Sequence, residues 1–303
     1  MRDIGTFRDP AARARYDAAY DLAMSRCPVP DEVLDVGTEH GTTRVYRFGE
    51  GDAPPLVLLP GMAATSASFA ELLPALAGTG PVYTVDTLGE PGRSVQRKPI
   101  TGHADRARCL DDVFAELSFG EVHLAGGSTG GWHCVNQAVH LPGRLASISL
   151  LDPTTVTAPF SRGVLALGLL CAVVRTEGML RWLVHRTTGG DSLDRPDVRL
   201  VLAGIREYRP RVPFQTCPSE ERLRAMRMPV LAVFAGRSGV HDAQLAARRL
   251  REFVPHADVE VRPGLTHGFA FGPGELGHFA ARVLTFTGRR TTTVDGPGPA
   301  KSG

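Results

Sequence analysis

Short apolar runs set the rhythm of this chain. The stretches "PLVLLPG" (55–61), "PVYTVD" (81–86), "EVHLAGG" (121–127), "LASISLLDP" (145–153) and "PVLAVFAG" (229–236) carry no polar alternation. That is the pattern of strands buried on both faces of a parallel sheet. Between them, Ser68 to Leu76, His103 to Leu117, Trp132 to His140, Asp242 to Phe253 and Glu275 to Thr287 keep one apolar face over a helical length. Strand and helix alternate, which predicts a mostly parallel, doubly wound α/β sheet. Ahead of these, "EVLDVGTEHGTTRVYRFGEG" (32–51) alternates with a period of two around His40 and Gly41, as a hairpin does. Asp9 to Arg26 has alanines and charges at helical spacing behind an Asp-Pro start signal, and predicts an N-terminal helix on the outside of the molecule.

One interval breaks the alternation. From Thr154 to Met228 no strand is expected, an interval far beyond an ordinary crossover. Helical signals at Ser161 to Arg175, Glu177 to His185 and Pro196 to Tyr208, broken by "TTGGD" and "RPRVPFQTCP", predict a helical cap over the C-terminal edge of the sheet. The expected organisation is an N-terminal helix (1–30), a core in two pieces (31–153 and 229–288), a cap inserted between them (154–228), and a disordered tail rich in Pro and Gly (289–303). The chain of 303 residues suits one large domain with such an insertion.

Composition narrows the function classes. With 34 basic and 32 acidic residues the formal charge is +2, and no polybasic block exists to attract nucleic acid or anionic lipid. The five cysteines are widely spaced and form no C-x-x-C pair, so a disulfide framework and a zinc knuckle are not expected. No apolar core of a signal peptide follows Met1, and the longest apolar stretch, Gly163 to Val174, is too short to span a bilayer. A cytoplasmic protein without nucleic-acid or membrane partners is the expectation.

Candidate chemistry sits where an apolar run pinches into glycines. Gly126, Ser128 and Gly130 form G-x-S-x-G between the run Val122 to Ala125 and a helix starting near Gly131. A serine at a tight strand-to-helix turn projects its hydroxyl above the sheet, and the adjacent helix N-terminus aims N–H groups where a negative oxygen would form. The simpler alternative is a Gly-Ser turn, and the flanking strand and helix argue against it.

From about Leu34 to Thr287 the chain resembles the α/β-hydrolase fold family. "LVLLPGMAATSASF" resembles the family's strand and oxyanion loop, with Pro60 in place of the usual histidine. "VYTVDTLGEPGRS" is similar to its D-x-x-G-x-G-x-S segment, with one extra residue between Asp86 and Ser94. "GLTHGF" resembles the turn that presents the catalytic histidine. The resemblance implies Ser128 as nucleophile, His267 as general base, and the amides of Met62 and Thr129 as the oxyanion hole. It also implies an α/β-hydrolase fold with an inserted helical cap.

The acid is open. Gly239 occupies the position where the family usually places it, and the nearest carboxylate is Asp242. A related subgroup resembles this loop as Gly-Arg-Ser-x-Val-His-Asp, a register in which Asp242 could orient His267. Asp242 also opens "DAQLAARRL" and suits a helix N-cap. The alternative acid is Asp152, at the end of "SISLLDP", which could instead be a turn residue before Pro153. Near the same edge, Asp86 is expected to hold its loop and Glu90 to line a pocket.

Two functions follow as expectations. The first is a cofactor-independent serine hydrolase that cleaves an ester, thioester or lactone of a medium-sized apolar acyl group. The apolar cap residues, among them Phe160, Val164, Leu165, Met179 and Trp182, suggest that substrate class. The second keeps the fold without hydrolysis, as a cyclase, acyltransferase or ligand-binding protein. "GGSTGG" lacks the G-x-G-x-x-G order of dinucleotide sites, and no H-E-x-x-H or comparable spacing suggests a metal. Neither a cofactor nor a metal is expected.

Overall fold

The computed structural model describes residues 3–173, 176–188, 194–267 and 273–289. The N-terminal segment forms strand β1 (Thr6–Phe7) and helix α1 (Pro10–Met24). The hairpin follows as β2 (Glu32–Thr38) and β3 (Gly41–Phe48), then β4 (Leu56–Leu59), α2 (Leu73–Ala77), β5 (Val82–Val85), β6 (Val95–Gln96), α3 (His103–Glu116), β7 (Val122–Gly127), α4 (Thr129–His140) and β8 (Leu145–Leu151). Helices α5 (Arg162–Val173), α6 (Glu177–Thr188) and α7 (Pro196–Glu207) come next. The chain continues through β9 (Tyr208–Arg209), α8 (Glu220–Arg224), β10 (Val230–Ala235), α9 (Ala243–Phe253), β11 (Asp258–Arg262) and α10 (Pro273–Thr287).

The central sheet has the order β11-β10-β8-β7-β4-β5-β3-β2, with β6 pairing β3. From β5 to β11 every pairing is parallel, whereas β3 runs antiparallel to β2, β5 and β6. Helices on both faces account for the unalternating runs. On one face Val57, Leu59, Leu124, Ile148 and Phe234 join Val113, Trp132 and Leu250 in a core. On the other, Leu58, Ala125 and Val233 meet Tyr16, Tyr20, Leu73 and Val283. Every position of β4 and β10 is therefore buried.

Three expectations change. Ser68 to Leu76 is not one helix but a 3-10 turn at Ser66–Phe69 followed by α2. Pro74 lacks the N–H that a continuing helix needs and instead sits in the first turn of a new one. The interval Thr154 to Met228, expected to run without a strand, contains the two-residue β9. Helix α1 packs on the outside as expected, with one face of Ala12, Tyr16, Tyr20 and Ala23 buried, and Asp9 caps it by accepting from the Ala12 N–H at 2.7 Å. Arg289, assigned by composition to the tail, is buried, and its guanidinium donates to the carbonyls of Pro54 and Pro81 at 3.0 Å each. Residues 290–303 of that tail, and part of "TTGGD", lie outside the described residues.

Between β8 and β10 the chain carries α5, α6 and α7. Leu180, Val198 and Leu202 form a small core of their own there, with Met179, Val184 and Ile205 against it. A two-stranded pairing of β1 with β9 ties the end of α7 to the N-terminus, and Arg15 of α1 reinforces it through a bidentate pair with Glu207 at 3.0 and 2.9 Å. Among the described residues no helix is long and apolar enough to cross a membrane.

Candidate active site

Ser128 stands between β7 and α4 with φ 55°, a left-handed conformation that a serine adopts only when its surroundings hold it. Its N–H donates to Leu151 O at 2.9 Å, and its carbonyl accepts from the Thr154 N–H at 3.2 Å, so the adjacent strand β8 and its exit loop grip it from both sides. Gly130 permits the sharp approach of α4, because a Cβ there would collide with the Leu59 carbonyl.

His267 lies in the loop after β11. That loop is set by Gly236 N–H donating to Arg262 O and Arg237 N–H donating to Leu265 O, both at 2.8 Å. The imidazole Nδ1–H donates to Asp152 Oδ2 at 2.6 Å, which leaves Nε2 to accept from the Ser128 hydroxyl at 3.0 Å. Three groups distant in sequence thus form one hydrogen-bonded line.

Asp152 follows β8 with φ 42°, and its own N–H donates to Val233 O at 2.7 Å. Its carboxylate is fully buried and densely solvated by protein. Oδ1 accepts from the Ala235 N–H at 3.1 Å and has His241 Nε2 at 3.2 Å; Oδ2 accepts from the Ser238 hydroxyl at 2.7 Å as well as from His267. Burial alone pushes this carboxyl up, but the nearby imidazole of His241 and the hydrogen bond and charge of His267 outweigh it and hold the group below the ordinary carboxylate range.

Asp242 is not at the histidine. It is exposed and caps α9, its Oδ1 accepting from the Leu245 N–H at 2.9 Å. The physical reason is local: α9 begins at Ala243, so the residue before it is turned toward the free amides of the first turn. The partner oxygen for His267 comes from Asp152 on the neighbouring strand. Within the same loop it is His241 and Ser238, to which no sequence pattern gave a role, that reach the carboxylate. Both belong to the string Gly-Arg-Ser-x-Val-His-Asp, so this loop supplies neighbours of the carboxylate and not the carboxylate itself.

The loop after β4 runs close to Ser128, since a Cβ on Gly61 would lie 3.7 Å from the serine Cβ. Among the described residues no hydrogen bond occupies the amides of Met62 or Thr129. Thr129 is the first residue of α4, where amides are free by geometry. In place of the histidine missing at Pro60, Asp86 braces this region. Its Oδ1 accepts from the Ser66 N–H and hydroxyl at 3.0 Å each, and its Oδ2 from the Tyr20 hydroxyl at 2.7 Å and the Arg93 N–H at 2.9 Å. Tyr20, on the helix expected to be peripheral, is thereby part of the support. Ala63, next to Met62, has φ 55°, and Gly204 of α7 is packed so tightly that a Cβ would meet Pro91 and the Ala63 carbonyl.

Above these groups opens a cavity of about 640 Å³ lined by Ser128, Thr129, His267 and Met62 from the sheet edge and by Phe160, Val164 and Ile205 from the inserted segment. Its walls are mainly apolar side chains. Among the described residues no group of three or more His, Cys, Asp or Glu could hold a metal ion.

A parallel sheet with a strained serine at a strand exit, a histidine and carboxylate in line with it and an apolar cavity beside it describes a hydrolase-type fold and site. The chain belongs to the alpha/beta hydrolase family, whose pattern matches residues 56–276. It is 28% identical over 296 residues to carboxylesterase YbfK of Bacillus subtilis (strain 168), covering 94% of this chain and 98% of that one. A second Bacillus subtilis protein, the uncharacterized carboxylesterase nap, is 29% identical over 261 residues, covering 84% and 86%. The crystal structure of carboxylesterase CesB (YbfK) superposes with a TM-score of 0.83 at 27% identity, covering 91% of this chain and 98% of that one. That of the Bacillus subtilis naproxen esterase gives 0.83 at 26% identity, covering 90% and 98%.

Proposed function

We propose that this protein is a cofactor-independent carboxylic ester hydrolase acting through an acyl-Ser128 intermediate on substrates with a medium-sized, largely apolar body. The observation that carries this reading is the line Ser128–His267–Asp152, at 3.0 and 2.6 Å, on the wall of an apolar cavity. Likeness to two carboxylesterases supports an ester as the bond cleaved.

In this mechanism the Ser128 hydroxyl attacks the ester carbonyl while His267 Nε2 takes its proton. The carboxylate of Asp152 keeps the imidazole in the Nδ1–H tautomer and stabilises the imidazolium that forms. Charge developing on the carbonyl oxygen is met by the Met62 and Thr129 amides. The tetrahedral intermediate collapses, His267 returns the proton to the departing alcohol, and water then repeats the sequence on the acyl-enzyme.

A fluorophosphonate probe tests the nucleophile: labelling of the native protein and none of Ser128→Ala is expected, and equal labelling of both would remove Ser128 from this role. A p-nitrophenyl ester series tests the reaction. Turnover is expected, whereas tight ligand binding with no hydrolysis at any chain length would convert the protein into a binding or acyl-transfer protein.

A further inference from the structure

The cavity holds one group that its apolar walls do not explain. Glu90 lines it and is 9% exposed. Among the described residues its carboxylate makes no ion pair, and the Ala63 amide is the hydrogen-bond partner found for it. Among the same residues no lysine or arginine lines the cavity. Arg106, the cation whose charge reaches Glu90, makes no ion pair with it: its two terminal nitrogens are engaged by Pro213 O at 2.9 Å and His133 Nε2 at 3.3 Å, the guanidinium lies over the Trp132 ring, and among the described residues its Nε–H is buried without a hydrogen-bond partner.

A carboxylate with capacity for about four hydrogen bonds is therefore left mostly unanswered in an apolar chamber. Such a group is costly unless something completes it. Burial pushes its carboxyl above the ordinary range, against the smaller opposing pull of Arg106 and the Ala63 amide. The group is nonetheless held firmly. Its own N–H donates to Thr87 O at 3.2 Å, it sits in the loop that Asp86 pins, and the next residue, Pro91, is wedged against Gly204 of α7.

We infer that Glu90 is a specificity subsite of this cavity, selecting substrates whose apolar body carries a hydrogen-bond-donating group, a protonated amine or a hydroxyl. This rests on reading the cavity as the substrate pocket. The ligand's donor completes the carboxylate, and the apolar walls take up the rest of the molecule. An ammonium pairs with the ionised carboxylate and a hydroxyl donates to it, so the two are separable by substitution. Glu90→Gln keeps an acceptor oxygen and removes the charge; Glu90→Leu removes both.

The experiment is direct binding of octylammonium and of octan-1-ol, by titration calorimetry, to the native protein and the two variants. Octylammonium is expected to lose about tenfold or more in affinity in both variants, by the loss of one charge-assisted bond. Octanol is expected to hold within about threefold in Glu90→Gln and to fall further in Glu90→Leu. Equal octylammonium and octanol binding across all three proteins, or exclusion of both ligands from the native cavity, would overturn the inference. Hydrolysis then compares p-nitrophenyl alkanoates ending in ammonium, hydroxyl or methyl, read as kcat/KM ratios within one enzyme so that partial misfolding cancels. A donor preference in the native enzyme that vanishes in Glu90→Leu supports the subsite; identical ratios in both sink it while leaving the esterase reading intact. Carboxylate-dependent binding with no ester turned over does the reverse.

Discussion

The exit edge of the sheet and the helices that cover it hold their side chains by different means. At the edge, Ser128 and Asp152 are fixed by left-handed backbone, by hydrogen bonds across adjacent strands, and by polar partners for both carboxylate oxygens. In the cover, α6 and α7 share a small apolar core, and Leu165 of α5 and Trp182 of α6 are about half exposed. The contrast teaches where tolerance lies: the edge combines directional bonds that fail together, whereas the cover adds apolar area in increments.

The sharpest way to break this comparison is at the edge. Ser128→Ala is expected to lower kcat by about 10⁴-fold or more while leaving the thermal midpoint nearly unchanged, measured with an activated ester and by calorimetry. Asp152→Asn should cost about 10³- to 10⁴-fold in kcat with little change in KM, because the wrong imidazole tautomer is then favoured. Asp242→Ala should instead leave kcat within about twofold and lower stability by about 1 kcal/mol, the worth of an N-cap. Reversed effects of these two substitutions in urea melts and steady-state assays would exchange their roles.

Acid titration sharpens the same point through stability. Because Asp152 is held below its unfolded value, its contribution is present above the ordinary carboxylate range of about 4 and is lost as pH falls through that range toward the folded-state value. Unfolding free energy measured from neutral to strongly acidic pH should therefore decline less in Asp152→Asn than in the native protein. His241→Phe is expected to lower kcat by about tenfold and His241→Gln by much less, since the amide keeps a polar N–H group near Asp152 Oδ1, where His241 Nε2 lies at 3.2 Å. The smallest effect belongs to the cover: Leu165→Ala should raise KM by about two- to fivefold for a long acyl chain and leave kcat alone, as expected for lost apolar contact.

Much of this arrangement is legible along the chain. The parallel strands are readable because a short apolar run without alternation, bounded by Gly and Pro, suits a strand covered on both faces better than any other element. Ser128 and His267 are readable because each sits in a short motif with its own turn. The acid is not, because proximity to His267 is decided by the pairing of β8 with β10, where Leu151 lies opposite Val233 and brings Asp152 beside Ala235. No local spacing encodes that register, so sequence alone favours Asp242, in the loop after β10, over Asp152. Tyr20 is hidden for a similar reason: the alanine-rich pattern of α1 marks a helix, but only the tertiary fold aims its hydroxyl at Asp86. Arg289 shows the converse limit, since a polar, Pro- and Gly-rich neighbourhood masks a residue that clamps two carbonyls.

The close fit of Gly204 against Pro91 and Ala63 leaves no slack between α7 and the loop after β4. If the proposed mechanism holds, an acyl group bulky enough to lift α7 would also disturb the residue beside the Met62 amide, and oversize substrates would lose in turnover as well as in binding. Size discrimination would then act as a ruler whose far end touches the reacting carbonyl.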